Sequence, residues 1–95
     1  MFTVAFDVDD CLIRQDSHGT DGPNYSVINL LMQFHALGAR IVVWSGGGID
    51  YAERWVDKLS LATYVDVIEK GSRMVDLAVD DEQVNMGWAN FQVPR

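Results

Sequence analysis

The chain has 95 residues, 48% of them hydrophobic and 22% charged, with 14 acidic residues against 7 basic ones. That length holds a single domain, residues 1–95, and the composition is globular rather than disordered. A formal charge of −7 disfavours a long nucleic acid or an anionic membrane surface as partner, because both reward basic patches and the basic residues here are scattered.

Cys11 is the only cysteine, which excludes an intramolecular disulfide and a Cys-based zinc centre; His18 and His35 are too few to build one instead. A reducing, cytoplasmic setting is expected. Met1 leads into a strand pattern without a basic n-region, and no apolar run approaches about 18 residues, so neither a signal peptide nor a membrane span is expected.

Residues 2–6 (FTVAF) predict a short buried strand that runs straight into Asp7, Asp9 and Asp10. Alternation along an extended chain places Asp7 and Asp9 on one face, close enough to repel, so a cation or a shared proton is expected between them; the plain alternative for this stretch alone is a solvated strand end with a few surface acids. Residues 11–23 lose periodicity and collect Gly, Asp, Ser, His and Pro, the composition of a loop. It is either a solvated connector or a flap carrying Arg14 or His18 toward a ligand. Asn24 or Ser26 then caps a helix whose apolar stripe is Val27, Leu30, Leu31, Phe34 and Leu37, with Gly38 as its stop and His35 at its surface.

Residues 39–44 (ARIVVW) predict a second strand, followed by Ser45-Gly46-Gly47-Gly48 and a helix marked by Ile49, Ala52, Val56 and Leu59. Ser45 and the glycines, Gly46 first, therefore sit at a helix N-terminus suited to an anion, although such a run also serves as a plain flexible turn. Residues 64–68 (YVDVI) alternate as a third strand before Lys70 and Gly71. Residues 75–79 (VDLAV) form a fourth, ending in Asp80, Asp81 and Glu82. The remaining stretch to residue 95 has room for a small helix or an edge strand, with Met86, Trp88, Phe91 and Val93 available to cover one flank of the core.

Strands alternating with helices predict a parallel sheet whose ligands bind at the strand carboxyl ends. In the expected order 3-2-1-4, Asp7, Asp9, Asp80 and Asp81 share one crevice, with Ser45 bordering it and Lys70 closing it. Clustered carboxylates of this kind suit a hard cation that keeps several waters, for which Mg²⁺ is the natural choice. A hydroxyl, a helix N-terminus, a lysine and Mg²⁺ are tools for holding a phosphoryl group, and with no Cys or His placed there the available nucleophile is a carboxylate, giving an aspartyl-phosphate.

DVDDCLI from Asp7, IVVWS ending at Ser45, Lys70, and AVDDE around Asp80 and Asp81 resemble, in order, the four motifs of the haloacid dehalogenase superfamily of phosphohydrolases. The resemblance spans nearly the whole chain. It implies a Rossmann-like, three-layer α/β/α sandwich around a central parallel sheet. It also implies a phosphomonoesterase in which Asp7 is the nucleophile and Asp9 the acid and base. Ser45 would hydrogen-bond the phosphoryl group and Lys70 would offset its charge. Asp7, the carbonyl of Asp9, Asp80 and Asp81 would hold Mg²⁺. Cys11 stands where the family often has Thr, Gly71 where Pro is common, and Asn85 where many members carry a further Asp. Residues 11–23 and the 46–49 turn are too short for a cap domain, so the expected protein is a minimal capless member. Its expected substrate is a phosphorylated small molecule or a nucleotide, and a second subunit is a candidate for closing the site. Two other functions fit the same residues: a phosphate- or Mg²⁺-binding regulatory module without turnover, and a receiver-like phospho-acceptor. Receivers, however, place their acid pair on the first strand and their lysine on the last, whereas here the lysine precedes the final acid pair.

Overall fold

The fold is built around β1, Thr3–Asp7, in which every residue is buried. A strand paired on both edges and covered on both faces shows a continuous apolar run instead of alternation. In the computed structural model, which describes residues 1–94, β1 pairs in parallel with β4 (Arg40–Trp44) on one side and β6 (Val75–Asp80) on the other. A two-residue strand, β5 (Asp66–Val67), adds to the outer edge of β4. The register aligns Thr3 with Arg40, Asp7 with Trp44 and Phe6 with Val79, so the carboxyl ends of the three central strands lie side by side.

The expected order 3-2-1-4 is corrected by a fifth strand. Residues Gly87–Gln92 form β7, which pairs in parallel with β6 from Val75↔Gly87 to Asp80↔Gln92, and the sheet runs β5-β4-β1-β6-β7. Gly87 permits this approach: a Cβ there would lie 2.7 Å from the Ala89 carbonyl oxygen and 2.9 Å from the Ala78 nitrogen. The flank expected to cover core is only partly used, since Val93 is buried but Trp88 is 81% exposed.

Helix α1 (Tyr25–Ala36) links β1 to β4, and α2 (Ile49–Lys58) links β4 to β5. Both crossovers step in the same direction across the sheet, and right-handed crossovers that do so leave both helices on one face. Val27 and Leu31 of α1 and Ala52 and Val56 of α2 share a core with Val4, Phe6, Ile41 and Val43; the valine, leucine, isoleucine and phenylalanine side chains buried this fully contribute roughly 1.5–3 kcal/mol each. The opposite face, with Ala5, Val42, Trp44, Val75 and Ala78, is covered by Ile68, Val84 and Met86 from the connections 68–74 and 81–86. Those connections carry no helix, so the α/β sandwich has its helical layer on one side only, and the third layer expected from the sequence is made of loop.

The end of the α1 stripe also shifts: Leu37 lies past the last helical turn and is exposed. Residues 11–23 are more ordered than a loop. Ile13–Gln15 (β2) and Asp21–Pro23 (β3) form an antiparallel hairpin, closed at its tip by Asp16, whose carboxylate accepts from the backbone N–H groups of His18 and Thr20. Among the described residues, no helix is long and apolar enough to cross a membrane.

Candidate active site

Three neighbouring parallel strands end within one crevice of about 350 Å³, and each delivers a polar side chain there: Asp7 from β1, Ser45 just past β4, and Asp80 with Asp81 from β6. Gly46, Lys70 and Asp9 also line it, together with Asp10, Gly47 and Glu82. The structure places these residues around one crevice, with a different neighbour for Asp7 from the one expected. Carboxylate oxygens of Asp7, Asp80 and Asp81 lie within 4.8 Å of one another, and all three residues are buried, at 5%, 2% and 7% exposure. The acid beside Asp7 is thus Asp80, not Asp9.

Lys70, on the connection after β5, bridges this cluster, with its Nζ 3.1 Å from Oδ1 of Asp7 and 2.9 Å from Oδ2 of Asp80. The remaining oxygen of Asp80, Oδ1, accepts from the backbone N–H of Glu82 at 3.0 Å. Burial, and next the charge of Asp80, push the Asp7 carboxyl up to about 7, against the opposing pull of Lys70. For Lys70 burial acts downward, but the hydrogen bond to Asp80 and the charge of Asp7 outweigh it, so the ammonium is held above its ordinary range. Three buried acids at this spacing offer an all-oxygen donor set, which a hard metal cation fits.

The turn that leaves β1 sets the rest. It is a single wide turn over Val8–Leu12, closed by the Ile13 N–H donating to the Val8 carbonyl, with Asp9 extended and Asp10 in the left-handed region at φ 55°. Two buried groups pin it. The Asn24 side-chain amide donates to the Cys11 carbonyl at 2.9 Å, and the Cys11 thiol, whose pKa burial pushes far up, points its Sγ at the Val79 carbonyl, 3.6 Å away. Of the two cap candidates in the sequence, Asn24 or Ser26, Asn24 occupies the cap position but its side chain serves the turn instead, and Ser26 lies inside the helix.

Because of that turn, the Asp9 side chain stands at the crevice rim. Its Oδ1 accepts a 2.5 Å hydrogen bond from the hydroxyl of Tyr51, on the first turn of α2, and this bond, followed by burial, pushes the Tyr51 phenol up. Ser45 is buried, and its Oγ accepts from the Gly47 N–H at 3.0 Å, which aims the hydroxyl along the Ser45–Gly48 turn at the start of α2. Arg14 and His18 are exposed on the hairpin; Arg14 borders a separate polar hollow of about 300 Å³ that shares Asp9 and Asp10 with the crevice.

Sequence reasoning missed Tyr51 and the support that residues 92 and 93 give to the backbone of the acid pair. The Val93 N–H donates to the Asp80 carbonyl at 2.7 Å, and the Gln92 amide donates to the Asp81 carbonyl at 3.3 Å. Neither has a local signal: a tyrosine on a helix and a glutamine in a strand are ordinary until the sheet brings them to the acids. A larger hollow of about 640 Å³ lies on the tail side of Asp81, lined also by Gln83 and Pro94, but it lacks the lysine, the serine and the other two clustered acids. No protein-family description matches this chain, and no curated protein or solved structure is similar to it.

Proposed function

We propose that the protein is a Mg²⁺-dependent phosphatase of haloacid dehalogenase type, hydrolysing phosphomonoesters of small molecules or nucleotides through an aspartyl-phosphate on Asp7. The observation that carries this reading is the meeting of Asp7, Lys70, Asp80, Asp81 and Ser45 in one crevice at the carboxyl end of a parallel sheet. Asp7, Asp80, Asp81 and the Asp9 carbonyl would hold Mg²⁺, which when bound supplies positive charge to keep Asp7 ionised and to screen the phosphoryl oxygens.

In this mechanism the Asp7 oxygen turned away from Lys70 attacks phosphorus. The bond from phosphorus to the ester oxygen breaks, and that oxygen takes a proton from the Asp9 carboxyl. Asp9, now a carboxylate, removes a proton from water as the water oxygen attacks the same phosphorus. The bond to Asp7 breaks, freeing phosphate and restoring the carboxylate. The Ser45 hydroxyl and Lys70 donate to the phosphoryl oxygens as charge develops on them. The open, capless crevice leaves room for varied leaving groups.

Inorganic phosphate released from 4-nitrophenyl phosphate, measured with Mg²⁺ and with chelator, tests the reading. Turnover should require both the cation and Asp7, and Asp7→Asn should abolish it while the thermal melt stays cooperative. Wild-type rates in the Asp7→Asn variant would exclude Asp7 as the nucleophile.

A further inference from the structure

A general acid must present one carboxyl oxygen to the leaving group while rotation about its own side chain is suppressed, and carboxylates and histidines in working sites achieve this with a partner bound to the other atom. Asp9 lies on a turn without regular backbone structure, and its side chain is exposed, so packing does not fix it. The Tyr51 hydroxyl does: it binds Oδ1 and leaves Oδ2 as the free oxygen.

The tyrosine is itself held. Its helix is anchored on the sheet by Ala52 and Val56, the Arg54 guanidinium lies 5.9 Å from its ring centroid, and its ring rests on the bare backbone of Gly47. A Cβ on Gly47 would stand 3.0 Å from the Tyr51 Cδ2 and 3.1 Å from its Cγ, so a larger residue there would push the ring aside by a few tenths of an ångström. The same Gly47 donates its N–H to Ser45 Oγ. One residue of the turn therefore sets the positions of the serine hydroxyl and, through Tyr51, of Asp9.

We propose that Tyr51 is a positioning residue for Asp9, orienting its carboxyl for proton transfer to the leaving oxygen, with Gly47 as the seat of the tyrosine ring; this rests on the phosphatase reading above. Proton donation matters most when the leaving group is a poor one. An alkyl phosphate needs it, whereas 4-nitrophenyl phosphate expels a stable anion and needs it little.

The test compares kcat/KM for an alkyl phosphate and for 4-nitrophenyl phosphate in wild type, Tyr51→Phe and Gly47→Ala, with thermal melts of each. Because kcat/KM reports the steps up to formation of the phosphoenzyme, the later hydrolysis common to both substrates does not mask the effect. Tyr51→Phe should lower the alkyl-to-nitrophenyl ratio about tenfold, as expected for loss of an orienting partner. Gly47→Ala, which displaces the ring but keeps the hydroxyl, should lower it in the same direction by less. An equal loss on both substrates, or no loss on either, would overturn the role of Tyr51 while leaving the phosphatase standing. A wild type inactive on both substrates, with Mg²⁺ present, would overturn the phosphatase reading and this role with it.

Discussion

The Lys70 ammonium lies 2.9 Å from Oδ2 of Asp80, a residue only 2% exposed, and this contact brings a cation from the loop after β5 into the acids of β1 and β6. Lys70 is thereby both a structural counter-charge and a group aimed at the crevice. Lys70→Met keeps the length of the side chain and removes the charge. In metal-free protein this variant should lose on the order of 2–3 kcal/mol of stability, read from urea unfolding, because buried carboxylates lose their partner. Under the proposed mechanism, its kcat/KM with Mg²⁺ should fall about 10²-fold or more. Unchanged stability would mean that the contact contributes nothing in solution.

The raised pKa of Asp7 gives the metal-free protein a pH dependence of definite sign. The folded residue keeps its proton up to about 7, whereas its ordinary value is 3.8. Between these values the native state binds more protons than the unfolded state, so stability falls as pH rises. The contribution is complete below the lower value and is gone once the pH has passed the upper one. Thermal melts in chelator should show the midpoint dropping between about pH 4 and pH 7, and Asp7→Asn should flatten that drop. Millimolar Mg²⁺ should oppose it and raise the midpoint at the alkaline end by several degrees, as binding to the native state alone requires. A midpoint that climbs over this range in chelator would contradict the assignment.

Gly87→Ala tests the fifth strand. The atoms a new Cβ would meet, the Ala89 carbonyl at 2.7 Å and the Ala78 nitrogen at 2.9 Å, are both backbone, which has little freedom to yield. The variant should be destabilised by about 1–3 kcal/mol, the range for overpacking, and hydrogen exchange should quicken in β7 and at the Val93 N–H bonded to the Asp80 carbonyl. Full retention of exchange protection there would show that β7 tolerates the added methyl.

How much of this structure is legible in the sequence depends on the demands placed on each residue. The central strands announce themselves because β1 and β4 are covered on both faces and have to be continuously apolar. The polar residues of the site are conspicuous because each interrupts such a strand at its end. Asp7, Ser45, Asp80 and Asp81 stand out that way, whereas Lys70 lies in the connection beyond the short edge strand β5. The tail is ambiguous because residues 87–92 (GWANFQ) form an edge strand that buries only Gly87, and a strand so exposed lacks apolar alternation. The hairpin of residues 13–23 is hidden in Gly, Asp and Pro, which also spell a loop. The neighbour of Asp9 is out of reach because the Tyr51 contact spans 42 positions and depends on how a wide turn and a helix start face one another. The missing helical layer is likewise a matter of topology: two crossovers stepping in the same direction place both helices on one side, which composition does not reveal.

The pairing of β1 with β6, Val4 opposite Leu77, also fixes when the acid cluster can come into being during folding. The helix-linked unit β1-α1-β4 joins residues 37 positions apart, but Asp7 meets Asp80 only when the chain closes over 73 positions, the longest closure among the strand pairings of the described residues. Closures of that kind come late, after nearer contacts have formed. Like charges therefore converge only on a scaffold already made by β1, β4 and α1. Their repulsion should consequently appear mainly in the unfolding rate, with little slowing of folding. Removing one acid of the cluster would then lengthen the lifetime of the metal-free native state rather than speed its formation.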